Sequence, residues 1–319
     1  MTTVLITRRL VGTVFLLLII LPIRLLAQPV PEMITFGDSL SDAGNFFVTT
    51  GEVVRKPYEP IPGAPYTVGG HHFSNGQTWV EQLARTLRVK RDAHPAARRP
   101  GRFFNYAFGR SRARAGAPTF SLVDLSTQVS TFLGDFGGSA PSDARYMVFI
   151  GSNDARDALI AGTMDPGQVP LIIGAAILAT SDNIVTLWSA GARTFVVLNI
   201  PNLAITPAVR ALGPDAEAAA EFLTLNYNAA LEMALQALEG ALPGIQITRV
   251  DTFTLLNDVV ADPDSAGLTN VTDPCLSFGV IGGAICSTPN RYLFWDAAHP
   301  TRAGHAVLAD EVAQVLGGP

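Results

Sequence analysis

The chain has 319 residues, of which 48% are hydrophobic and 15% are charged. This composition supplies ample apolar material for a packed core and excludes an intrinsically disordered protein. The formal net charge is -5 at pH 7, so the chain as a whole has no electrostatic reason to bind nucleic acid.

The first 27 residues have the pattern of a secretory signal peptide. Two arginines precede the apolar run Leu10–Leu21, and the small residue Ala27 closes the segment. The run is shorter than the roughly 18 to 20 residues of a membrane-spanning helix, which favours a cleaved signal peptide. An uncleaved membrane anchor is the alternative interpretation. We therefore expect residues 1–27 to be removed on export to the periplasm or the medium. Residues 28–319 are then expected to form a single domain.

Short apolar runs alternate with longer helical patterns along the rest of the chain. The predicted strands are Met33–Phe36, Phe103–Ala107, Tyr146–Ile150, Thr194–Leu198 and Ile245–Val250. The predicted helices are Trp79–Leu87, Leu171–Ala190, Ala216–Leu238 and Thr301–Leu316, the last with Thr301 as its cap. Strands that alternate with helices predict an α/β fold, in which helices cover both faces of a parallel sheet.

Two stretches lack a clear helix or strand pattern. Residues 47–66 are rich in Pro and Gly and are expected to form a surface loop. Residues 262–292 contain the two cysteines, Cys275 and Cys286. We expect a disulfide between them because export leads to an oxidising compartment, with two free buried thiols as the alternative. A cysteine pair without a nearby histidine is a poor zinc site, and we expect no metal or organic cofactor.

Chemically capable residues follow three of the predicted strands. Ser39 is expected at the start of a helix, where its N–H faces an oxyanion. Gly109 has no side chain to keep its N–H away from a reacting oxygen, and Asn153 offers a side-chain amide donor. Ligands of open α/β sheets bind at the carboxyl ends of the strands, so we expect these three residues to meet there. Each alone is also typical of a cap or a turn.

A fourth candidate pair lies near the C-terminus. Asp296 and His299 are three residues apart, and a turn can bring the carboxylate to the imidazole. Such a carboxylate holds the tautomer of the ring and stabilises the imidazolium that forms during proton transfer. Pro300 places His299 in a loop, where a solvated histidine is the alternative interpretation.

These motifs, in this order, resemble the GDSL-type lipase and esterase family of the SGNH hydrolase superfamily. The matching blocks are Phe36–Leu40, Phe73–Gly76 with Trp79, Asn105–Gly109, Gly151–Asp154 and Asp296–Thr301. The resemblance implies a flavodoxin-like three-layer sandwich around a five-stranded parallel sheet of order 2-1-3-4-5. It also implies a secreted serine hydrolase that cleaves carboxylic esters without a cofactor.

The resemblance also implies a role for each candidate. Ser39 would be the nucleophile, His299 its base, and Asp296 the residue that orients the base. The Ser39 N–H, the Gly109 N–H and the Asn153 side chain would form the oxyanion hole. The expected substrate is a small-molecule or lipid ester, and a lipid substrate is compatible with peripheral membrane contact. An acyltransferase, a phospholipase and a non-catalytic binding protein are the alternatives; the sequence does not indicate an oligomeric state.

The chain departs from the family pattern after Gly109, where members often have a second glycine and a small residue. Arg110 and Arg112 follow instead and continue a basic stretch that spans residues 85–114. We consider two interpretations: a solvated charged surface, or an arginine at the mouth of the site that favours anionic esters such as phospholipids.

Overall fold

The structure is a computed structural model that describes residues 31–61, 63–116 and 123–317. The predicted signal peptide, residues 1–27, lies outside the described residues. Parallel strands form the main sheet: β1 (Met33–Gly37), β2 (Arg145–Phe149), β3 (Thr194–Leu198) and β4 (Gln246–Val250). They lie side by side in the order β1-β2-β3-β4.

Helices cover both faces of this sheet, as the alternating pattern predicts. They are α1 (Asn45–Thr50), α2 (Trp79–Thr86), α3 (Leu125–Asp135), α4 (Ser152–Gly162), α5 (Gln168–Ser189), α6 (Pro207–Arg210), α7 (Pro214–Ala241), α8 (Thr252–Ala261) and α9 (Arg302–Val315). Thr301 caps α9 as predicted, because its side chain accepts the N–H of Gly304 at 3.1 Å. The three-layer α/β class is therefore confirmed.

The strands are apolar on both sides because each side meets a helical layer. Successive side chains of a strand point to opposite faces. Ile34 and Phe36 of β1 belong to the core beneath α3, α5 and α7, whereas Met33 belongs to the core beneath α2 and α9. The helix α5 is long and apolar enough to cross a membrane by length and composition. Its buried side chains, which include Ile173 and Ile184, instead pack in the first of these cores.

The predicted second strand, Phe103–Ala107, is not a regular strand. The chain there runs parallel to β1, and the Tyr106 N–H donates to the Thr35 carbonyl at 2.7 Å. The Asn105 side chain, however, accepts the N–H of Ala107 at 3.0 Å. This bond lies on the side away from β1, since the Tyr106 and Phe108 N–H groups on either side of Ala107 both donate to β1. The described residues thus give the main sheet four regular strands instead of five, with this segment attached to β1 by an isolated bridge.

A second, smaller sheet flanks the cysteine loop. Its strands are β5 (Asn270–Pro274) and β6 (Tyr292–Phe294). The predicted disulfide is present, with a Cα–Cα distance of 5.0 Å between Cys275 and Cys286. The disulfide loop shares a small core with Trp295 and with two tyrosines of the 47–66 stretch. That stretch is therefore not simply a surface loop, because Tyr58 and Tyr66 are buried in it.

We expect loss of the disulfide to destabilise the fold. The bond closes a loop with a sequence separation of 11 residues. Crosslinks of this loop size stabilise folded proteins by about 2 to 4 kcal/mol, chiefly by restricting the unfolded chain. Urea unfolding of the protein and of the Cys275→Ser/Cys286→Ser double variant measures the difference. Reductant should lower the midpoint of the parent protein alone, and equal midpoints for the two proteins would contradict the expectation.

Candidate active site

Ser39 lies in a tight turn directly after β1. The Ser41 and Asp42 N–H groups both donate to the Asp38 carbonyl, at 3.1 and 3.0 Å. The helix predicted to begin at Ser39 is absent from this position, since α1 begins only at Asn45. The strand exit needs Gly37, because a Cβ there would lie 2.5 Å from the Phe149 carbonyl oxygen of β2. The turn therefore presents Ser39 beyond the carboxyl edge of the sheet.

Three predicted residues form one hydrogen-bonded chain. The Ser39 Oγ lies 2.9 Å from His299 Nε2, and His299 Nδ1 lies 2.8 Å from Asp296 Oδ2. With the proton on Nδ1, the imidazole donates to the carboxylate and accepts from the serine hydroxyl. All three side chains are buried, Asp296 completely. We call this chain of Ser39, His299 and Asp296 the triad.

The Asp296 carboxylate also shapes the loop that carries the histidine. Its Oδ1 accepts the N–H groups of Ala298 and His299, both at 2.8 Å. Its Oδ2 accepts the Tyr66 hydroxyl at 2.8 Å. Sequence reasoning missed Tyr66, which lies 230 positions away in the chain and carries no local motif. Burial and the Asp296 charge raise the pKa of Tyr66 far above its usual value, so the hydroxyl keeps its proton and donates.

The environment of His299 favours its protonated form. Burial acts to lower its pKa, but the charge and the hydrogen bond of Asp296 outweigh burial, and the net shift is upward. A second titrating group lies close by. Burial raises the pKa of Asp38 to about 7, and its charge contributes to the upward shift of His299. Protons on both groups therefore control the state of the triad near neutral pH.

The Phe73–Gly76 block supports the histidine loop from outside. The Ser74 hydroxyl donates to the Pro300 carbonyl at 2.8 Å, and the Asn75 side chain accepts the Arg302 N–H at 2.6 Å. The Phe73 ring packs against the His299 ring, with 5.4 Å between centroids. This block thus fixes the position of the imidazole.

Two of the three predicted oxyanion donors lie at the same cavity as the triad. Ser39 and Asn153 both line it. Asn153 stands in the first turn of α4, where one amide hydrogen is donated to the Ser111 carbonyl at 2.9 Å and orients the group. Among the described residues, no acceptor is found for the Ser39 N–H.

Gly109 has a different environment from the one predicted. Its N–H donates to the buried Asp42 carboxylate at 2.8 Å, and Gly109 is not among the residues that line the cavity. A Cβ at this position would overlap the Phe73 ring, which explains the need for glycine through packing. The next residue, Arg110, does line the cavity and has a left-handed backbone with φ of 67°. Its N–H has no acceptor among the described residues.

The arginines after Gly109 are mostly engaged in ion pairs. Arg112 makes a bidentate pair with Asp157, at 2.8 and 2.9 Å, and donates to the Arg110 carbonyl at 2.7 Å. Arg114 bridges Asp157 and the buried Asp154 of the Gly151–Asp154 block. The Arg110 guanidinium lies 3.3 Å from Glu52. These pairs tie the loop after Gly109 to α4 and leave little free charge on Arg112 for a substrate.

A large cavity opens beside the triad. It has a volume of about 720 Å³, within the usual range for small-molecule sites. Its walls are predominantly apolar and include Leu159, Leu203, Val209, Leu255, Leu256 and Leu308. Phe46 and Trp295, which flank the catalytic motifs in sequence, are fully buried in separate cores and do not contribute to this wall.

A hydrogen-bonded serine, histidine and aspartate is the side-chain arrangement that serine hydrolases share. Comparison with known proteins identifies the family of this chain. The model of the GDSL-like lipase/acylhydrolase family matches residues 33–312. The chain therefore belongs to this family and is an ester hydrolase.

Individual relatives are distant but similar over most of their length. A GDSL esterase/lipase of Arabidopsis thaliana, At1g73610, is 26% identical over 89% of this chain and 89% of its own. The thermolabile hemolysin of Vibrio parahaemolyticus is 23% identical over 89% of this chain and 63% of its own. A catalytic mutant of Axe2, an acetylxylan esterase from Geobacillus stearothermophilus, is 13% identical over 91% of this chain and 95% of its own, with a TM-score of 0.48.

The raised pKa of His299 predicts where activity falls with acid. The ring must be neutral to accept a proton, so kcat/KM should decline as pH falls through a midpoint above the ordinary histidine value of about 6.5. Asp38→Asn removes a negative charge that favours the imidazolium, and should move the midpoint down. A pH profile of kcat/KM on a neutral ester measures both. A parent midpoint below about pH 6 would contradict the shift.

Tyr66→Phe tests the hydrogen bond to Asp296. Without that donor the negative charge of the Asp296 carboxylate is less neutralised and favours the imidazolium more strongly. The pKa of His299 should therefore rise, and the fall of activity with acid should begin at a higher pH. We also expect kcat to fall several-fold, roughly the effect of one lost hydrogen bond. Tyr58→Phe, in the same small core, is the matched control. Identical pH profiles for the two variants would show that Tyr66 is only a packing residue.

Proposed function

We propose that the protein is a secreted serine hydrolase that cleaves carboxylic esters through an acyl-enzyme on Ser39. The observation that carries the proposal is the continuous hydrogen-bonded chain from Ser39 through His299 to Asp296. Nucleophile and base lie within the 2.6 to 3.2 Å reach that proton transfer requires, and a third group orients the base.

The reaction proceeds in two steps. The Ser39 Oγ attacks the ester carbonyl carbon while its proton moves to His299 Nε2. The imidazolium, stabilised by Asp296, then gives the proton to the departing alcohol as the C–O bond breaks. Water attacks the acyl-enzyme in the same way, and the released Ser39 recovers its proton from His299.

The proposed oxyanion hole contains the Ser39 N–H and the free amide hydrogen of Asn153. For the third donor we favour the Arg110 N–H over the Gly109 N–H of the sequence prediction. The Gly109 N–H is donated to Asp42, whereas Arg110 lines the cavity. Its carbonyl is held by Arg112, which fixes the orientation of the loop.

The apolar cavity supports an extended acyl chain as the natural acyl group. Its leucine and valine wall begins at the triad and has no polar partner for a sugar on most of its surface. Burial of apolar surface stabilises a bound chain by about 0.8 kcal/mol for each CH₂ group. A lipid-like ester therefore fits the site better than an acetylated sugar.

Export of the protein is part of the same proposal. The pattern of residues 1–27 predicts a cleaved signal peptide, with residues 28–319 as one SGNH hydrolase domain. The Cys275–Cys286 disulfide supports an oxidising destination. N-terminal sequencing of the exported protein should give a start near Gln28, and an intact N-terminus in the membrane fraction would contradict it.

Hydrolysis of p-nitrophenyl esters from acetate to palmitate tests the enzyme directly. We expect kcat/KM to rise from acetate into the medium-chain esters as the acyl chain fills the cavity. Ser39→Ala should abolish the activity at every chain length. A folded parent protein without activity would overturn the proposal, and equal activity of parent and Ser39→Ala would show that the nucleophile lies elsewhere.

Asn153→Ala tests the oxyanion hole. Loss of one such donor typically lowers kcat about 100- to 1,000-fold, because the charge forms only as the reaction proceeds. Arg110→Gly keeps the backbone N–H and suits a positive φ, so it should retain most of the rate on a neutral ester. Steady-state kinetics with circular dichroism as a folding control measures both variants. A fall of less than tenfold for Asn153→Ala would contradict its assignment.

A further inference from the structure

One arginine of the cavity forms no salt bridge in the part of the chain that the structure describes. Arg110, Arg112 and Arg156 line the cavity. The first two pair with Glu52 and Asp157, as described above. Among the described residues, Arg156 has no salt bridge, and its side chain is exposed at the cavity. The Asp157 charge acts on Arg156, but Asp157 is already held in salt bridges by two other arginines, so Arg156 remains available to pair with a substrate.

The position of Arg156 places it close to the reacting atoms. It follows Asn153 by three residues on α4, and residues three or four apart on a helix share a face. Its positive charge acts on His299, where it opposes protonation of the ring. Arg156, Ser39 and His299 line the same cavity, so a substrate bound at Ser39 can present a charged group to the guanidinium.

A second observation on the same helix face points to a ligand. Ser152 precedes Arg156 by four residues and also lines the cavity. Its Oγ is buried and has no hydrogen-bond partner among the described residues. Buried polar atoms are rarely left without a partner, and each exception calls for an explanation. A substrate oxygen that enters the cavity beside Arg156 would supply the missing partner.

We propose that Ser152 and Arg156 form an anion subsite, which selects acyl esters whose alcohol part carries a phosphate group. The apolar wall takes the acyl chain, and the phosphate lies at α4, where the guanidinium and the hydroxyl both donate to its oxygens. Arginine suits this role because its planar fork matches phosphate geometry. This inference rests on the proposed hydrolysis at Ser39, and it moves the preference for anionic esters from Arg110 or Arg112 to Arg156.

One carboxylate of the cavity acts against an anionic substrate. Glu59 lines the cavity and is exposed. It forms no salt bridge with Arg156 among the described residues. Arg156 is among the main charges that act on His299, whereas Glu59 is not. The phosphate is therefore expected on the α4 side.

A matched pair of soluble substrates tests the subsite. The pair is 1-hexanoylglycerol 3-phosphate and 1-hexanoylglycerol, which share the acyl chain and the scissile bond and differ in the phosphate. The measured quantity is the ratio of kcat/KM for the phosphorylated ester to that for the neutral ester. Arg156→Gln should lower the ratio about tenfold or more, the range for loss of a hydrogen bond to a charged group. Ser152→Ala should lower it less, and Arg156→Lys should give an intermediate ratio, because it keeps the charge but loses the planar fork.

The controls separate the possible failures. Arg85→Gln removes an exposed charge that does not line the cavity, and should leave the ratio unchanged. If the parent hydrolyses both esters and Arg156→Gln keeps the parent ratio, the anion subsite is overturned and ester hydrolysis stands. If the parent hydrolyses neither ester, the proposed function is overturned, and with it the role of Arg156 in substrate choice.

Inorganic phosphate distinguishes a free anion from the substrate's own phosphate. It is added as an inhibitor of neutral ester hydrolysis by the parent and by Arg156→Gln. Inhibition that disappears in Arg156→Gln while the ester ratio stays at the parent value would mean that the site takes free phosphate, which overturns the proposal. The proposal is supported if the ester ratio falls in Arg156→Gln and added salt lowers the same ratio in the parent, because ions screen an exposed charge pair.

Discussion

The buried carboxylate of Asp296 is the constraint on which the site depends. An isolated charge in an apolar interior is so costly that it must be surrounded by donors. Asp296 satisfies this need with two N–H groups of its own loop, the His299 ring and the Tyr66 hydroxyl. One charge therefore sets the turn of the loop, the tautomer of the His299 ring and the position of the chain that carries Tyr66. The disulfide loop packs behind the same tyrosine and stabilises this arrangement from outside.

The main features of the fold and the site can be predicted from the sequence because they follow from the topology. Parallel strands place their carboxyl ends at one edge, so residues that directly follow β1 and β2 must meet there. Ser39 and Asn153 do so. Asp296 and His299 need only a three-residue turn to come together. In each case the information is local, and the sheet or the turn supplies the rest.

Other features depend on contacts between distant segments, which no local pattern contains. The pairing of Tyr66 with Asp296 spans 230 positions. The N–H of Gly109 turns away from the cavity because Asp42, which also accepts the N–H groups that begin α1, takes it as a fourth donor. These details depend on which hydrogen-bond partners the buried polar groups find. The spacing of apolar residues in the sequence carries no information about those partners.

The arginines show how a charge pattern in the sequence differs from a charge pattern in space. Residues 85–114 look like one basic stretch, yet Arg112 and Arg114 form salt bridges with Asp154 and Asp157 of α4. A buried ion pair contributes little charge to its surroundings, and breaking it would leave an uncompensated carboxylate. The charge that stays available lies on α4 itself, on an arginine that no basic run contains. In the proposed enzyme, the helix that carries this arginine also carries Asn153, so recognition of the alcohol part and stabilisation of the oxyanion would both depend on the position of α4.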